Sequence, residues 1–300
     1  MDSGNIGFVL LCAAFVFVMT PGLAMFYGGL VRKKNVVNTM MTSIFIIGIG
    51  IVMWVLFGYS LSFAPSGNAF IGDFRWLGLE GVSLTEGYTD GASIPNMVFS
   101  AFQMMFAVIT PALITGAVAG RMKFKSIFVF TIFWSLIVYY PLAHMVWGQG
   151  GLLGADGIGA LDFAGGDVVH ISSGVSALVL CILLGKRHDY EHSIYRIHNI
   201  PTVVLGASLL MFGWFGFNAG SALAADGLAA HAFMTTGVSA AAAMLSWMLC
   251  DVIKNKKPTL IGASTGMVAG LVGITPGAGF VPMWAAVIIG LTTSPVCYIM

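Results

Sequence analysis

Charged residues are scarce in this sequence. Lys, Arg, Asp and Glu make up 8% of its 300 residues, whereas hydrophobic residues make up 58%. An ordinary soluble domain carries about 25% charged residues, so this composition excludes a soluble globular protein and predicts a membrane protein. The 13 basic and 12 acidic residues leave a net charge of +1, which gives no reason to expect a nucleic-acid partner.

Cysteine is also infrequent. Cys12, Cys181, Cys250 and Cys297 each stand alone in an apolar run. They lack the paired spacing of a disulfide framework or a zinc site. We therefore expect four small core residues, no metal and no cofactor.

Long apolar runs, in contrast, dominate the chain. A helix that crosses a hydrocarbon core of about 30 Å needs about 20 mostly apolar residues. The N-terminal segment lacks the basic region of a signal peptide, so the first run is predicted to be a span. The sequence therefore predicts an all-α polytopic membrane protein. Its nine candidate spans are 6–30, 36–63, 97–119, 127–147, 165–184, 201–222, 232–253, 259–274 and 280–300.

Basic residues orient these spans. All but one of the 13 follow the first, third, fifth or seventh span, and the exception is Arg75. Because connections rich in Lys and Arg stay on the cytoplasmic side, the N-terminus is predicted outside and residue 300 inside. The longest connection, 64–96, is then an outer surface loop, and residues 1–300 form one domain. Acidic residues in the outer connections predict an electronegative mouth that concentrates cations.

The stretch DFAGGDVVHISSG, residues 162–174, places a histidine early in the fifth span. At 1.5 Å per residue, His170 would lie roughly 8 Å from one helix end and 24 Å from the other. An ionisable side chain inside the membrane usually belongs to a pathway or proton relay, and a bond to a neighbouring helix is the structural alternative. Asp162 and Asp167 flank the helix start, where a carboxylate caps free N–H groups.

Aromatic residues cluster at the predicted outer ends of two spans. Residues 211–222 read MFGWFGFNAGSA, and Trp147 ends the run AHMVW. Such residues commonly form an interfacial belt. Alternatively, a tryptophan face beside a hydroxyl binds a cation through the ring quadrupole and one hydrogen bond.

A serine motif suggests a different chemistry. Gly262-Ala-Ser264-Thr-Gly266 has the G-x-S-x-G spacing of hydrolases, and with His170 it would indicate an intramembrane serine hydrolase. That motif needs a strand-to-helix turn. Here Gly262, Gly266 and Gly270 recur every four residues, which is typical of closely packed membrane helices. We therefore expect no enzyme.

Together these segments resemble the ammonium transporter (Amt/Mep/Rh) family. The signature runs from Asp162 to Arg187. Similar blocks occur along the whole chain in the family's order. They are PGLAMFYGGLVRKKNVVN (21–38), FQMMFAVIT (102–110), AHMVWG (143–148), GWFGFNAGSA (213–222) and AGLVGITPGAGFV (269–281).

The resemblance implies an inverted-repeat helix bundle of eleven spans in a homotrimer, with one pore per subunit. Nine of those spans are found, so we expect a truncated member that lacks the tenth and eleventh spans and, with the tenth, the family's second pore histidine. The implied function is transport of ammonium or ammonia across the plasma membrane, and an ammonium sensor is the alternative. A PII-type regulatory protein is expected on the cytoplasmic face, at the loop 185–198.

The resemblance also implies roles for individual pore residues. Phe106 and Phe217 resemble a stacked phenylalanine gate, and Phe102 lines its approach. His170 resembles the first of two histidines that line the dry pore in a shared hydrogen bond.

Three further residues resemble the family's outer site. Trp147 and Ser221 match the positions that recruit the ammonium ion, and Asp162 matches the aspartate that shapes this site. The expected sequence of events is recruitment of the cation at the outer mouth, exclusion of water by the phenylalanines, and a relay at the histidine, whose protonation burial can adjust.

Overall fold

The computed structural model describes residues 1–155, 157–187, 190 and 196–300, and this part of the chain is helical, without strands. The first eight helices are long and apolar enough to cross a membrane, and the ninth is shorter, with 17 residues. Each predicted span coincides with one helix, so the all-α prediction is confirmed. The helices are α1 Ser3–Leu30, α2 Lys33–Phe63, α3 Asn96–Val118, α4 Phe124–Trp147, α5 Gly166–Leu184, α6 Ile200–Gly220, α7 Gly227–Asn255, α8 Leu260–Gly277 and α9 Met283–Ile299.

Four helices begin at a side chain that accepts a backbone N–H. Asp2 accepts from Asn5 at 2.8 Å, and Asn199, Asp226 and Thr259 act in the same way at the starts of α6, α7 and α8. Each bond satisfies one of the amide donors that the first turn of a helix leaves free. Polar residues at the span boundaries therefore determine where these helices begin.

Small residues bring the helices close together. A Cβ atom at Gly206 of α6 would lie 2.3 Å from the Phe26 amide nitrogen and 2.6 Å from the Gly22 carbonyl oxygen of α1. Between α7 and its neighbours, Ser239 Oγ donates to Gly270 O at 2.9 Å and Ser294 Oγ donates to Ala243 O at 2.6 Å. Close backbone approach and hydroxyl bonds of this kind hold membrane helices together.

The serine motif lies inside α8. Ser264 Oγ donates to Leu260 O at 2.9 Å, one helical turn earlier. A Cβ atom at Gly266 would lie 2.8 Å from Ala243 O of α7, and one at Gly270 would lie 2.5 Å from Ser239 O. The glycines thus serve close packing of α8 on α7, and Ser264 does not stand on the strand-to-helix turn that a hydrolase nucleophile requires.

Apolar side chains cover the outward surfaces of the helices. Ile137 of α4 is 70% exposed, and Ile182 and Leu183 of α5 are 71% and 76% exposed. Such exposure suits contact with lipid tails rather than with water. The chain is a multi-pass membrane protein.

The outer loop 64–95 packs against the ends of the helices through stacked aromatic rings. Trp76 stacks on Tyr59 of α2, with centroids 5.4 Å apart. Tyr88 stacks on Phe99 of α3, with centroids 4.7 Å apart and planes inclined by 3°. The loop is therefore a wall of the outer mouth and carries only one short 3-10 turn, Leu77–Leu79.

Arg75, the predicted outer cation, is paired within this loop. Its Nη2 lies 2.6 Å from Asp73 Oδ2. Arg75 Nε also donates hydrogen bonds to the Asp73 carboxylate. Hydrogen bonding between the two side chains holds the pKa of the Asp73 carboxyl below its usual range and raises the pKa of Arg75. The charges of Arg75 and Asp73 therefore largely compensate each other.

Candidate functional site

A pocket of about 250 Å³ opens where α3 begins and where α4 and α6 end, beside the outer loop. Three residues that the sequence predicts for the outer site meet here, although they come from distant parts of the chain. Trp147 ends α4, Asp162 precedes α5, and Ser221 follows α6. The lining residues are Tyr88, Thr89, Phe99, Gln103, Trp147, Asp162, Phe163, Ser221 and Leu223.

The Trp147 ring is held in place by one hydrogen bond and one aromatic contact. Its Nε1 donates to the Asp162 carbonyl oxygen at 3.0 Å. Its ring meets the Phe106 ring nearly at a right angle, with centroids 6.0 Å apart. The indole is half-buried, and a fixed, partly desolvated indole is the preferred aromatic partner of a cation.

The Asp162 carboxylate caps α5 and is buried. Its Oδ1 accepts the N–H groups of Gly165 and Gly166 at 2.7 and 2.6 Å, and its Oδ2 accepts those of Asp167 and Val168 at 2.8 and 3.2 Å. The backbone turns at Gly165 with φ of +117°, a conformation that favours glycine. Asp162 therefore shapes the pocket wall, and both of its oxygens are already engaged.

The hydroxyl proton of Ser221 already takes part in a hydrogen bond within the protein. Its Oγ donates to the Phe217 carbonyl oxygen at 2.9 Å. Because a hydroxyl has one donor and two acceptor lone pairs, the Ser221 oxygen remains able to accept a hydrogen bond from a molecule in the pocket.

Two phenylalanine rings lie against each other next to the Trp147 ring of the pocket. The centroids of Phe106 and Phe217 lie 4.2 Å apart with planes inclined by 31°, and Phe102 meets Phe106 at 4.9 Å. All three side chains are at most 1% exposed. No water-filled passage can cross such a contact unless the rings move.

His170 lies on the other side of this pair. Its ring stacks on Phe217 with centroids 6.0 Å apart and on Trp214 at 5.3 Å. Its Nε2 is buried and has no hydrogen-bond partner in the described part of the chain. The ring contacts thus run in the order Trp147, Phe106, Phe217 and His170.

The first turn of α5 is a π-helix. It spans Gly166–Ile171, and the His170 amide donates to the Gly165 carbonyl oxygen at 3.1 Å, five residues earlier. Wider turns of this type are rare and often accompany functional sites. Here the turn lies directly after the Asp162 cap and carries His170.

Trp214 and Gln103 also belong to the site, although the sequence assigned neither of them an individual role. Trp214 is 1% exposed and its Nε1 donates to Thr275 Oγ1 at 2.9 Å. Gln103 is 8% exposed and lines the pocket, and its Oε1 has no hydrogen-bond partner among the described residues. Its one signal was an amide side chain within the apolar block FQMMF.

A second pocket, of about 560 Å³, opens beside the first under the outer loop. Tyr88 and Thr89 line both pockets. Glu86 and Asp90, two acidic residues of the outer loop, line the second pocket. Burial raises the pKa of Tyr88 to about 12, so its hydroxyl stays neutral at physiological pH. The negative charge near the mouth therefore comes from the carboxylates.

Comparisons with known proteins agree with this architecture. Residues 7–300 match the Ammonium Transporter Family. The chain is 52% identical to an ammonium transporter of Bacillus subtilis over 299 residues, which cover 99% of this chain and 72% of that protein.

Solved structures show the same fold. The crystal structure of Saccharomyces cerevisiae Mep2 is 39% identical, with a TM-score of 0.92, and the match covers 100% of this chain and 66% of Mep2. A structure titled Sensor Amt Protein is 29% identical, with a TM-score of 0.89, and the match covers 99% of this chain and 74% of that protein. The chain thus spans about 66% to 74% of the length of these proteins.

Proposed function

The chain belongs to the Ammonium Transporter Family, and we propose that its protein moves ammonium or ammonia across the plasma membrane through the line of rings from Trp147 to His170. The observation that carries this proposal is the order of the groups along one path. A pocket lined by Trp147 and Ser221 lies next to a closed phenylalanine pair, and an unpartnered imidazole nitrogen lies behind that pair. Recognition, exclusion of water and a polar relay follow each other along this path.

The first step is recruitment of the ammonium ion in the outer pocket. Removing an ion from water costs several kcal/mol even after the protein relaxes, so the pocket must replace part of the hydration shell. The Trp147 face attracts the charge through its quadrupole, and the Ser221 oxygen accepts one N–H. The carboxylates of the outer pocket raise the local concentration of cations.

The second step is passage of the Phe106–Phe217 pair. The rings are in contact, so a hydrated ion cannot pass, and a small uncharged molecule requires only a limited movement of the rings. The Asp162 oxygens are engaged with four N–H groups, which makes them poor partners for an ion in transit. This arrangement favours passage as ammonia, with a separate route for the proton.

The third step takes place at His170. Its buried Nε2 is positioned to accept an N–H hydrogen bond from the ammonia that has passed Phe217, because the imidazole stacks directly on that ring. A histidine is suited to this role since small changes of environment change its protonation.

The assembly and its regulation follow from family membership as further parts of this proposal. The protein forms a homotrimer with one path per subunit. A PII-type protein docks on the cytoplasmic loop 185–198, of which residues 188, 189 and 191–195 lie outside the described part of the chain. A pull-down with and without residues 188–196 tests this site, and equal capture of the PII-type protein by both would contradict it.

Flux through the full-length gene product in proteoliposomes tests the function. Transport predicts an ammonium-dependent current or alkalinisation above that of empty liposomes. An ammonium sensor in the same fold predicts saturable ammonium binding without flux. Labelling of Ser264 by a serine-reactive active-site probe would instead support the hydrolase alternative.

A further inference from the structure

We propose that Gln103 is a direct ligand of the ammonium ion in the outer pocket, as a second oxygen acceptor beside Ser221. This inference rests on the proposed function, because it concerns how the same pocket holds the ion. The structural observation that carries it is independent, namely a buried amide oxygen without a partner in the wall of a pocket.

A buried acceptor without a hydrogen bond is unusual. Most buried polar side-chain atoms have a partner, and leaving one unsatisfied costs about 1–3 kcal/mol. Gln103 is 8% exposed, and its Oε1 has no partner among the described residues. The neighbouring polar groups of the pocket are engaged with each other, since Trp147 donates to Asp162 and Ser221 donates to Phe217.

The position of Gln103 on α3 relates it to the rest of the site. Phe99, Gln103 and Phe106 lie three to four residues apart, and such residues share one face of a helix. Phe99 and Gln103 line the pocket, and Phe106 contacts the ring of Trp147, which also lines it. The Gln103 amide therefore lies on the same face of α3 as Phe106 of the phenylalanine gate.

The ammonium ion suits this arrangement. It carries four N–H donors and no acceptor, so it needs oxygen acceptors together with an aromatic face. The pocket provides the Trp147 ring and the Ser221 lone pairs, and Gln103 in its wall offers its carbonyl oxygen when the amide turns toward the ion. These three groups belong to three different helices or their ends. A hydrogen bond to a charged group is stronger than one between neutral groups, so the second acceptor increases occupancy of the pocket before the gate opens.

The test compares the concentration dependence of ammonium flux in proteoliposomes for the full-length gene product and two variants. In Gln103→Leu the acceptor is removed with little change of volume. We expect the half-saturating ammonium concentration to rise roughly tenfold, because a hydrogen bond to a charged group contributes about that much affinity or more. The maximal flux stays within twofold, since the gate and His170 are unchanged.

Gln103→Glu distinguishes ligation from packing. A carboxylate presents oxygen at both terminal atoms, so this variant keeps the acceptor whichever way the amide is turned, and its half-saturating concentration should equal or fall below the original. Gln149→Leu removes the other glutamine of the chain, which is exposed and donates to the Tyr88 carbonyl oxygen, and should leave the half-saturating concentration unchanged.

The outcomes separate this inference from the proposed function. Absence of ammonium flux in the unmodified protein contradicts the proposed function. Flux in the unmodified protein with an unchanged half-saturating concentration in Gln103→Leu contradicts the role of Gln103, as does a loss confined to maximal flux. If the leucine variant fails to assemble, a raised half-saturating concentration in Gln103→Glu would overturn the proposal, and an equal or lowered one would support it.

Discussion

The imidazole of His170 on α5 lies nearly parallel to the indole of Trp214 on α6, with ring centroids 5.3 Å apart and planes inclined by 25°. Trp214 is held in turn by Thr275 of α8, to which its Nε1 donates at 2.9 Å. The indole cannot rotate without leaving this buried donor unsatisfied. Three helices thus fix the orientation of one histidine ring.

This relationship predicts that Thr275→Val lowers ammonium flux severalfold, because Thr275 positions Trp214 and Trp214 positions the His170 ring. Valine keeps the shape of threonine but leaves Trp214 Nε1 without an acceptor, which costs about 1–3 kcal/mol and frees the indole. The matched control is Thr265→Val on the same helix, where the hydroxyl donates only to Ile261 O, four residues earlier. Equal flux in both variants would show that Thr275 does not position the pathway.

A second prediction concerns His170 itself. His170→Ala in the full-length gene product should lower flux or reduce the preference for ammonium, with normal yield and normal oligomeric state. The reason is that Nε2 has no structural partner among the described residues, so its removal breaks no described hydrogen bond. Flux per assembled protein is the measurement. If flux and selectivity are unchanged, or if only assembly is impaired, the histidine serves packing.

The sequence predicts the helices, and the place of His170 near the start of one of them, for physical reasons. Apolar runs of span length have few alternatives in a membrane, and each window near 6–30, 97–119 or 201–222 became one helix. His170 was identifiable because an ionisable residue stands out in such a run. The alternation of basic connections is likewise a property of composition rather than of packing.

The contacts that define the site were not predictable in the same way. Trp214 and Thr275 are 61 residues apart, and no local pattern relates an indole on one helix to a hydroxyl on another. The unpartnered state of Gln103 depends on what its neighbours bind, which only the assembled pocket shows. The G-x-S-x-G motif shows the opposite case. Its local pattern matches a hydrolase motif, but its position inside α8 excludes the strand-to-helix turn that a hydrolase nucleophile requires.

A third prediction distinguishes a cation site from an interfacial belt at Trp147. Trp147→Leu should weaken the discrimination of ammonium from potassium, because leucine lacks the quadrupole that binds the ammonium ion. Trp284→Leu is the control, since Trp284 is 67% exposed on α9 and does not line the pocket. Competition of potassium with ammonium in the liposome assay gives the ratio. A belt residue would give the same ratio in both variants.

A fourth prediction concerns stability at the start of α5. Asp162→Ala removes the acceptors of four N–H groups, whereas Asp226→Ala at the start of α7 removes the acceptor of one. Loss of a single cap costs about 1 kcal/mol, so we expect a loss of about 2 kcal/mol or more at Asp162. Thermal unfolding in detergent should show the larger decrease in midpoint for Asp162→Ala, and an equal decrease would contradict the cap.

The last prediction concerns the contact between α1 and α6, the helix that carries Trp214 and Phe217. A Cβ atom at Gly206 would lie 2.3 Å from the Phe26 amide nitrogen and 2.6 Å from the Gly22 carbonyl oxygen. Both are backbone atoms, which no side-chain rotation can move away, so Gly206→Ala must separate the two helices.

Gly206→Ala should therefore lower the unfolding midpoint and also reduce flux, because a displaced α6 shifts one ring of the phenylalanine gate relative to Phe106. Gly48→Ala on α2 is the matched control, since a Cβ atom there meets nothing within 4 Å. Alanine favours a helix over glycine by about 1 kcal/mol, so this control should be as stable as the original or more so. Equal midpoints for Gly206→Ala and Gly48→Ala would show that the close approach of α1 and α6 is not required for the fold.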